Sequence, residues 1–112
     1  MKLPSNIKFS NSQVKDAFLQ LKDGNYQDKQ VYKWLLRAFE DIEENAFCGI
    51  QIPKKIIPKE YVQKYEVHNL WKYNLPNAWK LLYSVENNEI IVVSIVLDWM
   101  NHKEYERTFK YS

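Results

Sequence analysis

The chain is short of cysteine, arginine, net charge and long apolar runs, and each shortage closes off a class of function. Cys48 is the only cysteine among 112 residues. An internal disulfide is therefore impossible, and no Cys-x-x-Cys or Cys/His zinc spacing exists. With no base near it in the sequence, Cys48 is expected to be a buried free thiol and not a nucleophile. The longest apolar run, Ile90 to Leu97, is interrupted only by Ser94 and is far too short to span a bilayer. The first residues hold no apolar stretch of the kind a secretory leader uses, so the expectation is a cytoplasmic chain without a membrane. Neither repeats nor low-complexity segments occur. No pattern implies a metal or an organic cofactor.

The formal net charge is only +2, too small to mark a nucleic-acid binder by itself. Its distribution says more. Residues 1–50 carry seven Lys/Arg and seven Asp/Glu, residues 51–80 carry six Lys and two Glu, and residues 81–112 carry three basic and five acidic side chains. The positive excess is thus confined to Lys54, Lys55, Lys59, Lys64, Lys72 and Lys80. A local basic field attracts phosphate even when the total is near neutral; the same lysines would equally serve as a solubilising face.

A chain of this length forms one domain with a modest core. Its four Trp and eight Tyr exceed what such a core usually holds, so some aromatics should line a surface or a partner groove.

Ile7-Lys-Phe9 reads as the end of a first strand, followed by N-cap candidates Ser10-Asn11-Ser12. Val14, Ala17, Phe18 and Leu21 then recur at helical spacing until Asp23-Gly24-Asn25 stops the helix. A second helix is expected from Gln27 to Asn45, with Val31, Trp34, Leu35, Ala38, Phe39 and Ile42 as its apolar stripe. Glu40, Asp41, Glu43 and Glu44 crowd the end of that helix where its dipole disfavours them, and read as a solvated face. Residues 46–66 connect, with a short helix over Pro58–Tyr65. Three strands are expected at about Val67–Leu75, Ala78–Val85 and Glu89–Asp98, joined through Pro76-Asn77 and Asn87-Asn88. The segment Asn101–Phe109 closes the chain as a short helix. The fold class is therefore α+β: an N-terminal strand, a helical hairpin, a three- to four-stranded antiparallel sheet and a short C-terminal helix.

If the first hairpin is symmetric about Pro76, Lys72 lies opposite Lys80, and Trp71, Tyr73, Trp79, Leu81, Tyr83 and Val85 share the face that packs on the helices. His68, Lys72, Lys80 and Ser84 share the other. Two lysines directly opposed repel, an arrangement that points to function more than stability. Together with His102 and Tyr105 they suit metal-free cleavage of RNA by its own 2′-hydroxyl. That reaction needs a base, cations for the charge that builds on the phosphoryl oxygens, and an acid for the leaving 5′-oxygen. Lys72 and Lys80 supply cations; His102 supplies base or acid, histidine being the side chain suited to proton exchange near neutral pH. Tyr105, one helical turn on, would orient a phosphate or stack on a base, and Arg107 would clamp phosphate. Each also has an ordinary structural reading: a surface or capping histidine, an anchoring tyrosine, a solvated strand lysine, and Asp98 or Glu104 as ion-pair partners.

The stretch Asn69-Leu-Trp-Lys-Tyr-Asn-Leu-Pro-Asn-Ala-Trp-Lys80-Leu-Leu-Tyr83 and the pattern His102-Lys-Glu-Tyr105 resemble the strand pair and C-terminal His-x-x-Tyr of the RelE/ParE/HigB toxins of toxin–antitoxin modules. Ile56-Ile-Pro-Lys-Glu-Tyr61 and Phe109-Lys-Tyr111 are similar to a mostly archaeal, RelE/HigB-like branch. The resemblance implies a RelE-like fold and a ribosome-dependent mRNA endonuclease, held inactive by a cognate antitoxin, as a monomer or as a toxin–antitoxin hetero-oligomer. On it, Lys80 stands at the strand arginine position, Lys72 near a strand lysine, and His102 and Tyr105 at the C-terminal pair. Lys54, Lys55, Lys59, Lys64, Lys103 and Arg107 become candidate RNA contacts. Two departures point to weaker catalysis: lysine lacks the bidentate fork of arginine, and Arg37 and Arg107 are the only arginines. A non-catalytic RNA-binding protein or retired toxin, and a ParE-like inhibitor of DNA gyrase, are the alternative readings.

Overall fold

A computed structural model of the chain describes residues 2–87 and 92–109. The fold is α+β. Strand β1 (Asn6–Phe9) leads into helices α1 (Ser12–Leu21) and α2 (Tyr26–Glu44); β2 (Ile50–Gln51), α3 (Lys59–Tyr65), β3 (Trp71–Asn74), β4 (Lys80–Asn87), β5 (Val92–Met100) and α4 (His102–Thr108) follow. The strands form one sheet in the order β1-β5-β4-β3-β2. It is mixed and five-stranded, where a three- to four-stranded antiparallel sheet was expected, because β1 runs parallel to β5 and the two residues of β2 add to the far edge.

Local signals set the helix ends. Asn11 caps α1 by accepting from the Val14 N–H at 2.9 Å. Asn25 and Asp28 form a reciprocal capping box on α2, which satisfies amides that a helix start leaves without partners. The apolar stripe of α2 buries Val31, Leu35, Ala38, Phe39 and Ile42. With Phe18 of α1 they pack on Leu81, Tyr83 and Val96 of the sheet, and Trp71, Tyr73, Trp79 and Trp99 close the margins. Each fully buried side chain of this size contributes roughly 1.5–3 kcal/mol relative to exposure. Ser94, the one polar interruption of the last strand's apolar run, is buried and hydrogen-bonded to Ser5 at 2.8 Å; the Ser5 hydroxyl lies 2.9 Å from the Ile42 carbonyl.

The opposite face of the sheet is covered too. Leu82, Leu97 and Met100 pack there under Tyr61 of α3, with Ile52, Val67, Leu70 and Phe109. Ser84 is buried on that side of β4, so it does not share a solvent face with the lysines, and His68 lies exposed before β3 begins.

The first hairpin corrects the expected register. Lys80 pairs with Asn74 and Lys72 with Leu82, so the two lysines are diagonal and not opposed. The loop is Pro76-Asn77-Ala78, centred on Asn77 instead of Pro76. Asn77 and Ala78 adopt left-handed φ of 56° and 63°, which asparagine tolerates and alanine adopts at a cost of about 1–2 kcal/mol. Pairing moves by two residues, an even number, so every side chain keeps its expected face. Backbone pairing of β3 starts at Trp71, later than expected. Ahead of it the Asn69 side chain both donates to and accepts from the Val85 backbone at 2.8 Å, in place of a ladder rung. The turn at Asn87-Asn88, the residues Glu89 to Ile91 and the ending Lys110-Tyr111 lie outside the described residues wholly or in part.

Cys48 is a further correction: it is exposed. It sits in the short 3-10 turn Ala46–Cys48, which leads to Gly49. There a Cβ would lie 2.6 Å from both the Lys72 carbonyl and the Tyr83 hydroxyl oxygen. The glycine lets the chain lie flat against β3.

Candidate phosphate-binding site

Lys72 and Lys80 meet on the α3/α4 face because β3 and β4 each place an even-numbered residue there. A bulge brings β5 into the same arrangement: Leu82 pairs with Asp98 but Tyr83 pairs with Val96. The extra residue, Leu97, shifts the alternation so that Asp98 and Met100 also face this side, and Lys80 pairs with Met100. The strand then gives way to α4, where Asn101 and Glu104 form a second capping box.

That helix start delivers Tyr105. Its ring stacks on the buried Phe109, centroids 4.6 Å apart and planes at 25°. Phe109 is held in turn against Tyr61. The Lys72 ammonium donates to the Tyr105 hydroxyl at 3.2 Å. Lys72 Nζ and Lys80 Nζ lie 5.1 and 5.6 Å from the ring centroid, within the range of cation–π attraction. Partial burial, and next the charge of Lys72, hold the Lys80 ammonium below its ordinary pKa. Among the described residues neither lysine is in an ion pair. Two cations and a phenol, with no carboxylate paired to either cation, make a concentrated positive site suited to a phosphate or a developing oxyanion.

His102 stands apart from this trio in its contacts. It begins α4 in solvent, with Nε2 3.3 Å from the Glu106 carboxylate one turn on. Lys103 and Arg107 are exposed on the same helix, Lys54 and Lys55 on a 3-10 turn, and Lys59 and Lys64 on α3. Lys64 is engaged elsewhere: its ammonium lies 5.3 Å from the Tyr65 ring centroid, and it lines a cleft with Asp98.

No family model matches the chain, and neither a curated protein nor a solved structure matches it. The site therefore stands on its own geometry.

Asp98 was legible in the sequence only as a possible ion-pair partner. Instead it accepts from the Trp99 N–H at 2.8 Å and from the Tyr61 hydroxyl at 3.3 Å. Burial, outweighing these bonds, raises its pKa, and the Tyr61 hydroxyl is pushed up by burial and the Asp98 charge. A second carboxylate–phenol pair lies on the hairpin side, where Tyr73 donates to Asp41. Burial first, and then that bond, push Tyr73 up to about 12. Such pairs leave no mark in the sequence because their members are far apart along it. Among the described residues no cluster of three or more His, Cys, Asp or Glu is placed to hold a metal ion, and no helix is long and apolar enough to cross a membrane.

Proposed function

We propose that the chain is a toxin of a toxin–antitoxin module that cleaves messenger RNA on the ribosome, in the cytoplasm, and is restrained by a cognate antitoxin. The observation that carries this reading is the convergence of two strand lysines on Tyr105 of the C-terminal helix, Lys72 at its hydroxyl and over its ring and Lys80 over its ring. In the cleavage step the 2′-oxygen forms a bond to the adjacent phosphorus as the bond from phosphorus to the 5′-oxygen breaks. The products are a 2′,3′-cyclic phosphate and a 5′-hydroxyl. Lys72 and Lys80 stabilise the charge on the non-bridging oxygens, and Tyr105 orients the phosphate beside them. The lowered pKa of Lys80 suits it to give a proton to the leaving 5′-oxygen. His102, at the start of the helix that carries Tyr105, takes the 2′-hydroxyl proton once RNA displaces Glu106.

The test is to induce the chain from a tightly repressed promoter and map 5′ ends of a reporter message within minutes. Lys80→Ala is expected to lower cleavage by about 100-fold, and Tyr105→Phe and His102→Ala by at least about tenfold each. Cleavage unchanged in the Lys80 variant would remove the assignment of roles.

The second reading, a non-catalytic RNA-binding protein, draws on the His102–Glu106 pairing in solvent. Salt-sensitive RNA binding without any cleavage would select it.

A further inference from the structure

Around the tip of the first hairpin from the lysines, on the α2 side, lies a groove that the cleavage reading does not use. Its volume is about 260 Å³, and it is lined by Tyr26, Gln27, Gln30, Trp34 and Asn77. Tyr26, Gln30 and Trp34 recur every four residues, so they stand one above another along α2. Tyr26 is 79% exposed, which no demand of packing explains. Trp34 is braced edge-on by Trp79, centroids 6.4 Å apart and planes at 62°. Asn77 approaches from the hairpin loop, held by its left-handed backbone.

We propose that this groove holds one unpaired nucleobase of a single-stranded RNA whose phosphate lies on Lys72 and Lys80. The choice of ligand follows from the lining. Two aromatic side chains offer stacking surfaces. Three carboxamides offer donors and acceptors together, which fits the mixed edges of a base. The lining contains no charged side chain, so the phosphate belongs elsewhere, and the volume is below that of a drug-sized pocket. The path follows from the backbone: Trp79 is extended and immediately precedes Lys80, the first residue of β4, so the two side chains leave the chain on opposite faces. Trp79 braces the groove while Lys80 reaches the phosphate site. A strand of RNA crossing the Pro76–Ala78 loop connects the two.

This inference rests on the RNA reading for the identity of its ligand, and one set of titrations separates the two. Isotope-labelled full-length chain is titrated with the four nucleosides, which lack phosphate, and a short single-stranded RNA is bound across a range of salt. Nucleosides are expected to move the side-chain amide signals of Gln27, Gln30 and Asn77 and the Trp34 indole signal. Tyr26→Ala, an exposed change, is expected to weaken RNA binding by about tenfold with the salt slope unchanged. The Lys72→Ala, Lys80→Ala double variant should instead flatten that slope. If the lysine variant behaves so while Tyr26→Ala binds RNA and nucleosides as the wild type does, the base site is overturned and the RNA reading stands. Nucleoside shifts in the groove, with RNA binding indifferent to the lysines, would keep the base site and remove the phosphate site. A proline-rich peptide or a monosaccharide moving those signals where nucleosides do not would overturn the base site.

Discussion

The two faces of the sheet alternate along the same strands and differ in almost everything else. On one, a 10-residue and a 19-residue helix bury a cluster of aromatic rings in which Phe18 touches Phe9, Tyr32, Phe39 and Trp99. On the other, two helices of seven residues cover a smaller core whose buried rings are Tyr61 and Phe109, and leave Lys72, Lys80 and Tyr105 at its rim. Helices so short are not stable alone, so α3 and α4 hold their place through Tyr61 and Phe109. The α1/α2 face is thus a rigid support, and the α3/α4 face is where charge and hydroxyl groups are brought together with least packing around them.

Leu81 and Leu82 test that contrast most directly. They are neighbours in β4, both fully buried, one in each core. Truncation of either to alanine should cost about 2–5 kcal/mol, set by how far the surroundings collapse into the space. Leu81→Ala is expected to cost more, because rings braced by two long helices cannot close in. Leu82→Ala should cost less, yet displace Lys72, its cross-strand partner. Urea unfolding measures both; equal losses would break the contrast between a rigid and a yielding face.

Gly49→Ala probes the edge the two faces share. The added methyl would press on the Lys72 carbonyl and on a Tyr83 hydroxyl that donates to the Ala46 carbonyl at 2.8 Å. A loss of about 1–3 kcal/mol is expected, with faster hydrogen exchange of the β2 amides. Exchange unchanged at β2 would show that the edge does not depend on this close approach.

The smallest effect is a pH dependence confined to the α3/α4 face. Burial raises Asp98 from the ordinary 3.8, so the folded state binds this proton more readily than the unfolded chain does. Its contribution to stability is fully present below the ordinary value and is lost as pH rises through the raised one. Asp98→Asn keeps an oxygen for the Trp99 N–H and removes that loss. The variant should therefore gain stability relative to wild type as pH rises from about 4 toward 7. Denaturant midpoints across that range check it; a constant difference would place the proton of Asp98 in the same balance in both states.

Much of the α1/α2 face was legible because its signals are local: helical spacing of Val31 to Ile42, Asn caps, and alternation through β3 and β4. The face assignment of Lys72 and Lys80 was legible for the same reason, and a loop centred one residue later could not change it. Cys48 was misread as buried because composition does not reveal that it lies exposed at the end of the turn Ala46–Cys48, at the sheet edge. Whether Ser84 would meet solvent could not be read either, because the helix that covers its face comes from a segment whose apolar residues are scattered among lysines.

The sequence by itself determined most helices and strands, β2 excepted, and which side chains of β3 and β4 share a face, since both follow from periods of two or about four residues and from the chemistry of caps and turns. Only the tertiary structure decided that β1 joins β5, that a bulge at Leu97 turns Asp98 toward Tyr61, and that Phe109 presents Tyr105 to both lysines. These depend on contacts between residues tens of positions apart, where small differences in packing choose one partner over another.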